Sequence, residues 1–180
     1  MERHTCRAFI HVLGTQLDTI AARLMYNWHA RSKRYYSKEF YMIRELVTDE
    51  ELLAKPCEPA TVEDAELAQD LLDTLESIED GACLAANQIG VPKAVIAYKN
   101  EKDRTHVMFN PAMKRALRPY RTEEGCLTRE DTTKVTRFDQ ATFTYQELVD
   151  GVLIPRKKEC RGWTAQILQH MIDHCNGKLI

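Results

Sequence analysis

Apolar residues recur at intervals of three and four in three stretches of the chain, and each stretch predicts an amphipathic helix. The first helix is predicted over residues 8–28. The second is predicted from residue 61 to about residue 80, where Thr61 and Asp64 have the spacing of a capping box. The third covers residues 162–174 and stops before Gly177, a residue typical of helix C-termini.

Short runs rich in β-branched and aromatic residues lie between the second and third helices. They cover residues 94–98, 106–109, 134–136, 141–145 and 152–154, and Pro, Gly, Asn or charged residues separate them. We therefore expect short strands joined by turns. A helix followed by several strands and a last helix predicts an α+β domain.

Composition narrows the class of protein. A chain of 180 residues with 44% hydrophobic residues is long enough to bury one ordinary core. The formal net charge is -2, and charges of both signs are mixed along most of the chain, so DNA binding is not expected. No apolar run approaches the roughly 20 residues that a membrane-spanning helix needs, so no membrane partner is expected.

Residues 1–41 differ from the rest of the chain in charge. They carry seven Lys or Arg against three acidic residues, and residues 31–38 interleave basic side chains with tyrosines. Such a segment can contact RNA, and a ribosome contact is one interpretation. The alternatives are a targeting arm, a solvated appendage or a start codon placed too far upstream. We expect an extension over residues 1–41 and a domain over residues 42–180, beginning at Met42.

The chain has six cysteines but no recognisable secretory segment, which favours a reducing cytoplasm as its location. In that compartment, metal binding or catalysis is a better explanation of cysteine than disulfide formation.

Three segments carry candidate chemistry. His170 and His174 lie four residues apart on the third predicted helix, so their rings share one face and can bind one ion. Cys126 can add a thiolate to this pair, although a buried, inert cysteine is the alternative. Residues 81–90 are rich in small side chains that permit close approach of an extended ligand, with Gln88 as an amide donor. By itself this last segment could be only a tight turn.

Taken together and in this order, the three segments resemble the signature motifs of peptide deformylases, which read GxGLAAxQ, EGCLS and HExxH. The resemblance runs from about residue 42 to residue 180 and includes Asn110 and Pro111. It implies an α+β fold with mostly antiparallel sheets around a central metal-binding helix. The chain stops six residues after His174, which resembles the short-tailed branch of the family.

The resemblance also implies roles for individual residues. The metal ligands would be Cys126, His170 and His174, holding one Fe²⁺ or Zn²⁺ ion. The Gln88 side chain and the Leu127 backbone N–H would stabilise the tetrahedral intermediate. Asp173 would orient a ligand histidine, with a solvated charge as the alternative. The substrate would be the N-formyl-methionyl end of nascent peptides, and the residues matching its binding site are Gly81, Cys83, Leu84, Glu124 and Gly125.

The sequence departs from the family pattern at three positions. Thr128 replaces a serine, and Cys83 replaces the second glycine of the first motif. Met171 occupies the position of the glutamate of HExxH, which takes a proton from the metal-bound water and passes it to the leaving amine. A thioether does neither at neutral pH.

These departures leave three hypotheses. The first is a metal-dependent deformylase of impaired activity that serves protein biosynthesis by processing N-terminal methionine. The second is a non-catalytic homologue that binds metal or the N-termini of nascent chains. The third is a redox or metal sensor built on Cys126, Cys83 and Cys175.

Overall fold

Residues 42–180 are the part of the chain that the structure, a computed structural model, describes. They form one compact unit. The helix predicted over residues 8–28 and the basic run over residues 31–38 lie outside the described residues and stay predictions.

Three α-helices and two short 3-10 helices are present in residues 42–180. The α-helices are α1 (Glu50–Leu53), α2 (Ala65–Ser77) and α3 (Gly162–Cys175). The predicted capping box before α2 is confirmed, because the Thr61 N–H donates to Asp64 at 2.7 Å and the Glu63 N–H donates to the Thr61 hydroxyl at 3.3 Å. The first turn after this cap is a 3-10 helix, Val62–Asp64. No helix in this part of the chain is long and apolar enough to cross a membrane.

A five-stranded antiparallel sheet organises residues 42–180. Its strands follow one another in space as they do along the chain. They are β1 (Cys83–Ala85), β2 (Val95–Lys99), β3 (Thr105–Cys126), β4 (Arg129–Val149) and β5 (Val152–Arg161). The second 3-10 helix, Ala86–Ile89, connects β1 to β2. The predicted α+β class with antiparallel pairing is confirmed.

The prediction of short strands was wrong for the middle of the chain. The runs at 134–136 and 141–145 belong to one strand, β4, and β3 continues without interruption through residues 110–126. Pro111 does not end β3, because register shifts after Phe109 and Met113 absorb the irregular backbone around it. Pro119 also lies inside the strand, where it pairs with Phe138. A long hairpin thus replaces several of the predicted turns.

The two faces of the sheet pack against different helices. Along β2, Ile96 and Tyr98 belong to an apolar cluster that contains α3 residues, whereas Val95 and Ala97 belong to a second cluster with α2 residues. This alternation follows from the two-residue period of a strand. Helix α3, which bears the two candidate histidines, therefore has a buried face on the sheet.

Candidate metal site

The three predicted metal ligands come together in the structure. Cys126 is the last residue of β3, and His170 and His174 lie one turn apart on α3. The candidate ligand atoms of all three lie within 4.8 Å of one another, and Cys126 Sγ is 3.3 Å from His174 Nε2. One thiolate and two imidazoles form a donor set that suits a divalent transition metal and leaves a tetrahedral position open.

The surroundings of Cys126 favour the metal-binding form of its side chain. Burial alone would favour the neutral thiol, but hydrogen bonds with His170, His174 and Thr128 outweigh it and lower the pKa of Cys126 to about 5. Because the thiolate is the form that binds metal, the site is prepared for an ion at neutral pH.

Glu124 orients one of the histidines. Its Oε2 lies 2.9 Å from His170 Nδ1, and Arg137 donates two hydrogen bonds to its carboxylate, at 2.9 and 2.6 Å. Burial would raise the pKa of Glu124, but the bonds with Arg137 and His170 lower it to about 2. An ionised acceptor at Nδ1 places the proton of neutral His170 on that nitrogen and leaves Nε2 for a metal.

Asp173 does not orient a histidine, contrary to the expectation. Its carboxylate accepts hydrogen bonds from Arg137, at 2.5 Å, and from Lys178, at 3.3 Å. The helix directs it toward the arginine of β4, while Glu124 reaches His170 from β3. Arg137 was missed in the sequence, where nothing distinguishes it from the other basic residues of the hairpin.

Gln88 points its amide nitrogen at the candidate ligands. The Ala85 N–H donates to Gln88 Oε1 at 2.9 Å, which fixes the amide. Gln88 Nε2 then lies 3.2 Å from Thr128 Oγ1 and 3.5 Å from Cys126 Sγ. The side chain is only 1% exposed, so its orientation is set by the fold.

A cavity of about 410 Å³ opens beside two of the ligands, Cys126 and His170. Among the predicted substrate residues, Cys83, Glu124 and Gly125 line it, and so does Leu127. Gly81 and Leu84 do not line it. Leu84 is fully buried in the apolar cluster with α2 residues, and a Cβ at Gly81 would lie 3.0 Å from both Ile78 and Leu75.

The inner part of the cavity wall belongs to α3. Met171 lines it but is only 1% exposed, because it also packs into the apolar cluster between α3 and the sheet. Trp163, Gln166 and Ile167 line it as well and were missed in the sequence. Ile167, Gln166 and Trp163 lie three, four and seven residues before His170, and helical residues at these spacings share a face. This spacing could have identified them from the sequence.

The end of α3 that carries His174 is held by Asn87. Asn87 Nδ2 donates to the His174 carbonyl oxygen at 2.9 Å, and both residues are fully buried. In the described part of the chain, Asn87 Oδ1 and His174 Nδ1 are buried without hydrogen-bond partners. With Nε2 facing Cys126 and Nδ1 making no competing bond, His174 fits a metal ligand bound through Nε2.

Comparisons with known proteins agree on one family. A family model described as polypeptide deformylase matches residues 43–180. A peptide deformylase of Clostridium beijerinckii is 36% identical over 140 residues, which cover 77% of this chain and all of that relative. Peptide deformylase 3 of Shewanella oneidensis is 33% identical over 141 residues, covering 74% of this chain and 83% of that relative.

Solved structures give the same result at the level of the fold. A peptide deformylase from Legionella pneumophila has a TM-score of 0.67 at 31% identity, covering 76% of this chain and 83% of that one. A class I type b enzyme from Acinetobacter baumannii has a TM-score of 0.68 at 24% identity, covering 77% and 97%. The chain therefore belongs to the peptide deformylase family.

Proposed function

We propose that this chain is a metal-dependent hydrolase that removes the formyl group from N-formyl-methionyl nascent peptides, at a rate lowered by Met171. Family membership supports the substrate class, because peptide deformylases are metalloenzymes of protein biosynthesis. The observation that carries the proposal is the cluster of Cys126, His170 and His174, whose ligand atoms lie within 4.8 Å beside an open cavity.

The metal would be one Fe²⁺ or Zn²⁺ ion held by these three side chains. When bound, such an ion polarises a carbonyl oxygen and lowers the pKa of a water molecule. The protein contributes an ionised Cys126 and a His170 whose tautomer is selected by the hydrogen bond to Glu124. Cys126 is thus in the thiolate form that coordination needs.

The remaining roles concern the substrate. Gln88 Nε2 would donate to the oxygen that becomes negatively charged during hydrolysis, together with the backbone N–H of Leu127. Strand β1 is the first strand of the sheet and pairs with β2 on one side. A peptide can therefore add along its other side, close to Cys83, Glu124 and Gly125 of the cavity wall.

Met171 is expected to lower the rate of hydrolysis. A positioned general base typically contributes a factor of about 10² to 10⁴ to the rate. Met171 lines the cavity where a carboxylate would be needed, and its thioether cannot accept a proton from water at neutral pH. Slow hydrolysis, supported by the ion and by Gln88, is the expected outcome.

The alternative is a non-catalytic homologue that binds metal or nascent-chain N-termini. The packing of Met171 into an apolar cluster favours it, because such a side chain closes a pocket against water more readily than it supports proton transfer. Calorimetric titration with formyl-Met and Met peptides tests this alternative. Absence of binding to both peptides would exclude a role in binding nascent-chain N-termini.

Two further parts of the proposal concern the cellular setting. We expect the protein to act in the cytoplasm, where formylated chains emerge from the ribosome. The basic residues among positions 1–41 are proposed to contact the ribosome. Measuring the binding of the full chain and of residues 42–180 to purified ribosomes tests this contact. Equal binding by both would contradict a role for this segment.

The activity is tested by assaying the metal-loaded protein on formyl-Met peptides beside Met171→Glu and Met171→Gln. We expect Met171→Glu to raise kcat/KM by about 10² or more because it restores a proton acceptor. The matched amide cannot accept the proton and should stay at the native rate. Equal rates for all three proteins would contradict the assigned role of position 171, and no turnover by the native protein would exclude native catalysis.

A further inference from the structure

Two cysteines outside the proposed ligand set lie side by side. The Cys57 N–H donates to the Cys175 carbonyl oxygen at 2.8 Å. By standard backbone and hydrogen-bond dimensions, residues joined by such a bond have Cα atoms about 5–7 Å apart, which overlaps the usual range for a disulfide. Cys57 also packs against the apolar cluster that contains Cys175. Both cysteines are reduced in the structure.

The pair is asymmetric in exposure. Cys57 is half-buried, whereas Cys175 is only 8% exposed and packs in the apolar cluster beneath α3. A small reagent in solution therefore reaches Cys57 first. Cys175 is then the resolving thiol, since it lies next to Cys57 but is shielded from solvent.

The segments that carry the two cysteines are already fixed to each other. Asn87 Nδ2 donates to the carbonyl oxygens of both Leu53 and His174, at 3.5 and 2.9 Å. The backbone of Ala54 lies so close to Gly177 that a Cβ there would be 2.4 Å from the Ala54 oxygen. A disulfide between Cys57 and Cys175 would therefore join two segments that already contact each other, with little displacement of the backbone.

We propose that Cys57 and Cys175 form a thiol-modification site that reacts with the disulfide of a small thiol, such as oxidised glutathione, and closes into an internal disulfide. The Cys57 thiolate attacks one sulfur of the reagent and expels one glutathione thiolate, leaving a mixed disulfide. Cys175 then attacks the Cys57 sulfur, and its proton passes to the second glutathione, which leaves as a thiol. Two protein thiols are oxidised and one glutathione disulfide is reduced to two thiols.

The disulfide has a definite structural consequence. It ties the C-terminal end of α3, one residue after His174, to the segment that follows α1. It also closes a long loop that includes the whole sheet, which restricts the unfolded chain. The oxidised protein should therefore unfold at a higher denaturant concentration than the reduced one.

The test incubates the full, metal-loaded chain with oxidised glutathione and reads the product by intact mass and by mapping unreduced peptides. We expect a loss of about 2 Da and one cross-linked peptide pair that joins Cys57 to Cys175. In Cys175→Ser the reaction should stop at the mixed disulfide, a gain of about 305 Da on Cys57. In Cys57→Ser, Cys175 should stay unmodified because it is buried.

A cross-link between other cysteines, or an unmodified Cys57 in Cys175→Ser, would overturn the proposal. Differential alkylation of the unmutated chain keeps the test valid if a variant fails to fold. Cys57 and Cys175 should then become unreactive together and recover together on reduction. Because the readout is mass, the result does not depend on whether the protein deformylates peptides.

Discussion

Glu124 connects the candidate metal site to the rest of the protein. Besides Arg137 and His170, it accepts a hydrogen bond from Gln166 Nε2 at 2.9 Å, and the Tyr120 hydroxyl donates to the other end of the Gln166 amide at 2.9 Å. A buried carboxylate with this many partners stays ionised. The orientation of His170 therefore depends on a network that spans β3, β4 and α3.

The first prediction at the residue scale is that Glu124→Gln removes a pH-dependent part of the stability. The folded pKa of Glu124, about 2, lies below its ordinary value of 4.5. Its ionisation thus stabilises the fold above about pH 4.5, and this contribution, of the order of 2 kcal/mol, is lost as pH falls from 4.5 toward 2. Urea unfolding of metal-free protein between pH 3 and pH 7 measures it.

Glu123→Gln is the matched control for this experiment, because Glu123 is the exposed neighbour of Glu124 on the same strand. The difference in unfolding free energy between native protein and Glu124→Gln should shrink as pH falls, while Glu123→Gln should follow the native curve. A constant difference for Glu124→Gln across the pH range would contradict the depressed pKa.

The Met171→Glu variant carries a second expectation at this scale. Position 171 is 1% exposed and lies against an apolar cluster, so a carboxyl there is desolvated and its pKa should rise toward neutrality. That shift suits a general base at pH 7 but lowers stability, by about 1–3 kcal/mol. Urea unfolding of Met171→Glu and of Met171→Gln gives two losses of unfolding free energy. Their difference separates the cost of burying a charge from the cost of burying a neutral polar group.

At the scale of elements, the site depends on how α3 ends and how β3 ends. The hairpin of β3 and β4 delivers Cys126 at its closed end, since Cys126 pairs with Arg129 across the turn. Helix α3 delivers both histidines in its last two turns and stops at Cys175. Gly177 follows with a φ of +69° and lies against the backbone of Ala54.

We therefore predict that Gly177→Ala is much more destabilising than Gly151→Ala. Both glycines have positive φ, at +69° and +78°, so each substitution costs about 1 kcal/mol of backbone strain. Only the Cβ at position 177 would meet backbone atoms, the nearest at 2.4 Å, whereas position 151 has nothing within 4 Å. An additional loss of about 2 kcal/mol or more is expected from this overlap.

Chemical denaturation of the two variants measures the difference. Metal content should also fall in Gly177→Ala, because the displaced segment holds the end of the helix with His174. Equal losses of stability in the two variants would mean that the contact with Ala54 relaxes without cost.

At the scale of the whole molecule, residues 42–180 contain a complete two-faced sheet with a helix on each face. Residues from α2 and α3 fill the two apolar clusters, and Ile180 at the end of the chain is fully buried. All three proposed metal ligands lie within this unit. The division at Met42 that the charge pattern predicts stays a prediction, and its consequence can be measured.

A chain that begins at Met42 should fold and bind metal as the full chain does. We expect its thermal midpoint to lie within about 3 °C of the full-length value, since the core of residues 42–180 is filled by its own side chains. Calorimetry and metal analysis of the two proteins check this. A large loss of stability would show that residues 1–41 contribute to the fold.

Much of the site could be predicted from the sequence, because its chemistry is local. The i, i+4 spacing places His170 and His174 on one helix face, and the capping residues Thr61 and Asp64 mark the start of a helix. Cys126 and Gln88 were identified through ordered motifs. Strand lengths could not be predicted, because two prolines that usually end strands lie inside β3, Pro111 among register shifts and Pro119 paired with Phe138.

The sequence by itself determined the residue types at the site, including a methionine at position 171, and the helical spacing that aligns two of the ligands. Tertiary structure alone decided that Glu124, and not Asp173, holds His170, that Arg137 joins both acids, and that Cys57 lies beside Cys175. The physical reason is distance along the chain. Local spacing sets which side chains share a face, but contacts between distant segments depend on the register of the hairpin and the packing of α3.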